Sequence, residues 1–259
     1  MKNSNNLISF VTSLCLLAIF GLACGGSATD TSTSNTATAN KTNSVSNGGL
    51  PDPADRTVIH QPKDIAGSYS AIGSNVDGAG NYTAELMVTK RDDVYQFSWA
   101  SGAKSYDGVG VQTGNTVAVA FTEGADGKGC GVVLYDIAAN GDLDGKAGYW
   151  GVNEAETEKA KRTSGTDLAG KYDVSGTNSG GDYKGTLDVK KESDGYTFEW
   201  NTGAVAKGFG IRQGDTASIG IGGPQCGFVS YEVKPDGTLE GKWGGQSSKR
   251  FGTEVAKKK

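Results

Sequence analysis

The sequence predicts an all-β protein: two tandem eight-stranded antiparallel up-and-down barrels, with a pair of two-sheet sandwiches as the alternative architecture. Three observations carry this. The chain repeats itself: Asp64-Ile-Ala-Gly-Ser-Tyr69, Tyr95-Gln-Phe-Ser-Trp99 and Cys130-Gly-Val-Val-Leu-Tyr135 return in order as Asp167-Leu-Ala-Gly-Lys-Tyr172, Tyr196-Thr-Phe-Glu-Trp200 and Cys226-Gly-Phe-Val-Ser-Tyr231. Each copy has a period of two, as in Tyr82, Ala84, Leu86, Val88 and in Tyr196, Phe198, Trp200, the signature of a half-buried antiparallel strand. Turn dipeptides separate these runs, among them Asp77-Gly78, Asn140-Gly141, Asp194-Gly195 and Asp236-Gly237. With 41 glycines against 5 prolines and no collagen-like period, the composition is that of tight turns between short strands.

The N-terminus reads as an export signal. Leu7 to Phe20 is apolar, follows Lys2, and is too short to make a good membrane span. Gly21-Leu22-Ala23-Cys24 resembles a bacterial lipobox, although Gly21 departs from the usual leucine. That resemblance implies a signal peptide at 1–23 and a mature chain starting at a lipidated Cys24. It also implies membrane attachment through the N-terminal lipid. Gly25, Gly26 and Ser27 carry no aspartate, which resembles an outer-membrane address with a periplasmic or surface face. Residues 24–62 form a Ser/Thr/Asn-rich tether with nothing to build a core, and this tether holds His60, the single histidine.

The two copies are assigned to residues 63–163 and 164–259, each a barrel closing on itself, with Thr163-Ser164-Gly165 as the hinge. Strands are expected to start near Gly67, Tyr82, Val94, Ser105, Thr116, Gly131, Leu143 and Ala155. In the second copy they start near Gly170, Tyr183, Tyr196, Ala206, Ala217, Gly227, Leu239 and Phe251. Closure removes both exposed sheet edges.

Catalytic candidates are absent from this reading. Serine or cysteine hydrolysis needs a histidine beside the nucleophile, and His60 lies outside both copies. No His/Cys cluster suits zinc, and no cofactor motif stands out. Asn140-x-Asp142-x-Asp144-Gly145 opens like a calcium loop but places Gly151 where the bidentate glutamate belongs, so it reads as a hairpin turn. The net charge of -4 and the lack of a basic stripe argue against nucleic acid.

Two sets of residues remain as sites. Cys130 and Cys226 occupy equivalent positions, on the strand face opposite Val133 and Tyr135. They form either one disulfide between copies packed face to face, or two separate buried thiols. The aromatics Tyr95, Trp99, Trp150, Tyr196, Trp200 and Trp243 either fill the barrels or face a small apolar ligand. Trp150 and Trp243 share a late strand region, although Ala147 is the residue in register with Trp243.

The run Cys226-Gly-Phe-Val-Ser-Tyr231, then Asp236-Gly-Thr-Leu-Glu-Gly-Lys-Trp243, then Gly252-Thr-Glu254 resembles small bacterial secreted domains often labelled fibronectin-binding protein. The first copy keeps Thr157-Glu158 but has Glu156 in place of the glycine. The opening Gly-x-Tyr is loosely similar to lipocalin- and avidin-like barrels. The expected function is therefore non-enzymatic: a displayed binding or adhesion module with a protein or extracellular-matrix partner. The alternative is a carrier of a small apolar ligand. A filled core would exclude the carrier, and an open apolar cavity would favour it.

Overall fold

The computed structural model describes residues 63–124, 126–127 and 129–259. The segments expected from the sequence to be a signal peptide and a tether, with Cys24 and His60, lie outside the described residues. Among the described residues sixteen strands follow one another: β1 (Gly67–Ser74), β2 (Asn81–Arg91), β3 (Val94–Ser101), β4 (Lys104–Thr113), β5 (Thr116–Glu123), β6 (Gly131–Ile137), β7 (Leu143–Tyr149) and β8 (Glu156–Thr166). Then come β9 (Ala169–Asn178), β10 (Gly181–Glu192), β11 (Gly195–Asn201), β12 (Val205–Gln213), β13 (Thr216–Ile221), β14 (Gly227–Val233), β15 (Leu239–Gly245) and β16 (Gly252–Lys258). The expected strand starts fall within two residues of these. All pairings are antiparallel, and the strands close into two eight-stranded barrels, which sets the sandwich alternative aside.

The barrels do not follow the repeat boundaries, and this corrects the expectation that each copy closes on itself. The first barrel runs β1-β16-β15-β14-β5-β4-β3-β2; the second runs β10-β11-β12-β13-β6-β7-β8-β9. The first barrel thus takes five strands from the first copy and three from the second. The second barrel is a continuous stretch, β6 to β13, inserted between β5 and β14.

The reason lies at the junction of the copies. Thr163-Ser164-Gly165 is no hinge; it lies inside β8, beside a register shift between Arg162 and Ser164. The turn between β8 and β9 is Asp167-Leu168 alone, with Thr166 paired to Ala169. A two-residue turn holds its strands side by side in one sheet, so the end of one copy and the start of the next share a barrel. The exchange keeps equivalent registers. Val119 pairs with Val229 in the first barrel, and Ile219 pairs with Val133 in the second.

The repeated Asp-x-Ala-Gly-x-Tyr motif closes one end of each barrel. Ile65 and Leu168 are 1% and 0% exposed, plugging the interior. The Tyr69 hydroxyl donates to the Ile65 carbonyl (2.6 Å), and Tyr172 donates to Leu168 (2.7 Å). Asp64 accepts from Tyr95 (3.2 Å), and Asp167 from Tyr196 (2.8 Å). Tyr95, Tyr196, Phe97 and Phe198 then fill the space above the plugs.

Outward-facing apolar residues join the barrels into one compact unit. Val109, Val111 and Ala120 of the first barrel pack against Cys130, Val132 and Leu134 of the second. Phe228 and Phe251 pack against Phe209 and Ile211. Cys130 and Cys226 are joined by a disulfide, with alpha carbons 5.7 Å apart. It ties the start of β6 to the start of β14, where the chain enters and leaves the inserted barrel.

Candidate functional site

Opposite the plugged end, the first barrel opens into a cavity of about 330 Å³. Its walls carry Tyr82, Trp99, Tyr106, Phe121 and Trp243, with Ala84 and Val229 deeper and Asn75, Ser101 and Lys104 toward the rim. Both copies contribute, since Val229 and Trp243 arrive on the exchanged strands. The rings form a continuous edge-to-face series: Tyr82 to Trp243 (6.0 Å between centroids, 81°), Trp243 to Phe121 (6.1 Å, 67°), Phe121 to Tyr106 (6.0 Å, 81°). Trp99 leans on Phe121 at 5.9 Å. Aromatic neighbours prefer such geometry, and here each ring braces the next.

Glu254 lies in the cavity wall and is 4% exposed. Alternation on β16 puts Gly252, Glu254 and Ala256 inward and Thr253 and Lys257 outward. The carboxylate accepts from Tyr82 at Oε2 (2.8 Å), from Trp99 Nε1 at Oε1 (3.1 Å), and from the Tyr231 hydroxyl at Oε1. All three donors are neutral. Among the described residues no lysine or arginine pairs with it. Burial, then the charge of Glu254, push the Tyr82 and Tyr231 hydroxyls well above the ordinary tyrosine value, so both remain donors at neutral pH.

Trp243 fits because of what faces it. It pairs across the ladder with Gly252, where a Cβ would stand 2.5 Å from the indole Nε1 and 2.5 Å from the Ser74 carbonyl oxygen. The indole donates instead to that Ser74 carbonyl, at 3.2 Å. Gly73 does the same for Tyr82, whose ring carbon would lie 2.5 Å from an added Cβ.

The second barrel repeats the carboxylate network without the aromatic cage. Glu158 accepts from Tyr183 (2.9 Å), from Trp200 Nε1 (3.0 Å) and from the Tyr135 hydroxyl. In register with Tyr106, Phe121 and Trp243, however, stand Ala206, Ile221 and Ala147. Ala147 pairs with Glu156, where the first barrel has Trp243 opposite Gly252. Burial raises Glu156 above the usual carboxylate range. Tyr149 packs against the core here, its hydroxyl pushed up to about 12 by burial and by Glu156 and Glu158.

Of the aromatics singled out in sequence, Trp99 and Trp243 meet in the cavity. Tyr95 sits at the plugged end, pushed up to about 12 by burial and by the Asp64 charge. Trp200 and Tyr196 are 4% and 6% exposed within the second barrel's core. Trp150 belongs to neither barrel core and instead lines, with Tyr95 and Tyr149, a separate cleft of about 180 Å³. β7 ends at Tyr149, the Val152 amide turns back to the Tyr149 carbonyl (3.1 Å), and the Trp150 ring lies over Gly127 at the seam between barrels. Sequence reasoning missed Glu254, Tyr82, Tyr106 and Phe121 as cavity residues. The recurring Thr-Glu pair, with glutamate on an inward-facing position in both copies, was the available signal. Comparison of the chain with protein-family models, with curated proteins and with solved structures gives no match.

Proposed function

We propose that the protein is a non-enzymatic, lipid-anchored cell-envelope carrier that holds a small ligand of largely apolar surface in the first barrel. The open, ring-lined cavity of about 330 Å³ is the observation that supports it most, being within the size range of small-molecule sites. The export signal and the lipobox-like Cys24 motif support the location. The adhesion reading has less behind it. The large exposed apolar side chains Ile72, Met87, Val152 and Val205 are spread over two barrels and a turn, which does not favour one contiguous contact patch.

Native mass spectrometry of the full chain, isolated gently from its host, tests the reading. Extra mass that leaves on denaturation, and that is lost in Ala84→Phe, which fills the cavity, is the expected result. A bare chain, both as isolated and after incubation with the host's small-molecule extract, would overturn it.

A further inference from the structure

The carboxylate network has a structural role common to both barrels, because Glu158 holds the same kinds of donor as Glu254. That role does not explain why only one of the two carboxylates faces a cage of five aromatic rings. Among the described residues, Glu254 Oε1 takes two hydrogen bonds and Oε2 takes one, from Tyr82, whereas a carboxylate oxygen can accept two. A buried carboxylate served by neutral donors alone still lacks a cation to offset its desolvation. Ring faces attract positive charge, most strongly when water is excluded. The cation at the rim, Lys104, is engaged by Glu123 at 3.0 Å and stays exposed.

Building on the carrier reading, we propose that the first barrel takes a small organic cation, a primary ammonium whose nitrogen donates to Glu254 Oε2 while the rings of Tyr82, Trp99, Tyr106 and Trp243 surround it. The ligand's apolar part lies along Phe121, Ala84 and Val229. The second barrel lacks this site, since its mouth carries Ala206, Ile221 and Ala147 where rings are needed.

Three probes of one shape separate the possibilities. The full chain is titrated at neutral pH with benzylamine, benzyl alcohol and benzoate, following tryptophan fluorescence from the cavity. Benzylamine is expected to bind about tenfold or more tighter than benzyl alcohol, the scale of a desolvated cation over aromatic faces. Glu254→Gln keeps the shape and removes the charge: its amide oxygen can accept from Trp99 and Tyr231 while its amide nitrogen donates to the Tyr82 hydroxyl oxygen, and the variant is expected to bring the two probes within about twofold of each other. Equal binding of amine and alcohol, or a preference for benzoate, overturns the cation while leaving the cavity as a ligand site. Binding of none of the three overturns both. The comparison of probes in the unaltered protein needs no variant, so a Glu254→Gln chain that failed to fold would not blunt it.

Discussion

Gly252 and Trp243 act as a pair. Each is explained by the other: the indole crosses the strand because position 252 has no side chain, and the barrel has a ring there because the indole can cross. The second barrel makes the opposite choice at both positions, with Glu156 facing Ala147. Gly252→Ala therefore forces a Cβ to 2.5 Å from Trp243 Nε1 and from the Ser74 carbonyl. Overpacking of this kind costs about 2 kcal/mol. In a double-mutant cycle, Trp243→Ala should recover about half of that loss, because the clash with Ser74 remains. Denaturant unfolding of the four chains measures it, and strict additivity would refute the pairing. The cavity's residue types were visible in the sequence, but their convergence was not. Trp99 and Trp243 were separable from Trp150 only by register. Glu254 sat in a motif whose period-two placement made it inward, yet sequence alone gives no reason to expect a carboxylate inside a small barrel.

At the level of elements, sixteen strands were legible because alternation and turn dipeptides mark each one locally. Their partition between barrels was not, because equivalent strands of two copies offer equivalent ladders. Val119 meets Val229 as well as it would meet Val133, and the periodic pattern cannot choose between them. The choice is made by a single turn, Asp167-Leu168, too short to let β8 and β9 part. This has a direct consequence for a cut chain. With a short protease site placed between Asp167 and Leu168, cleavage leaves β1–β8 on one fragment and β9–β16 on the other. Each barrel then holds strands from both fragments through two ladders: β1–β16 and β5–β14 in the first barrel, and β6–β13 and β8–β9 in the second. After reduction of the disulfide, the fragments should still co-elute in size-exclusion chromatography and separate only in denaturant. Two folded halves eluting apart would mean that each copy closes on itself.

Across the whole molecule, the inserted barrel makes the disulfide unusual in reach. Cys130 and Cys226 are 96 residues apart, and nearly everything between them is the second barrel. In the unfolded chain the bond closes that whole span into one loop, so the entropy it removes is near the upper end of what a single cross-link provides, about 4 kcal/mol. In the folded chain it adds little, because the β5–β14 and β13–β6 ladders and the packed seam of Val111, Val132 and Leu134 already hold the two crossings together. The same bond therefore matters greatly for stability and little for shape. A Cys130→Ser, Cys226→Ser chain is expected to keep its circular dichroism and its cavity, while its unfolding midpoint in guanidinium falls by the equivalent of about 4 kcal/mol. The oxidised parent treated with reductant should reproduce that fall. An unchanged midpoint would show that the exchanged ladders constrain even the denatured chain, and that the barrels' shared strands, more than the cross-link, keep the two copies together.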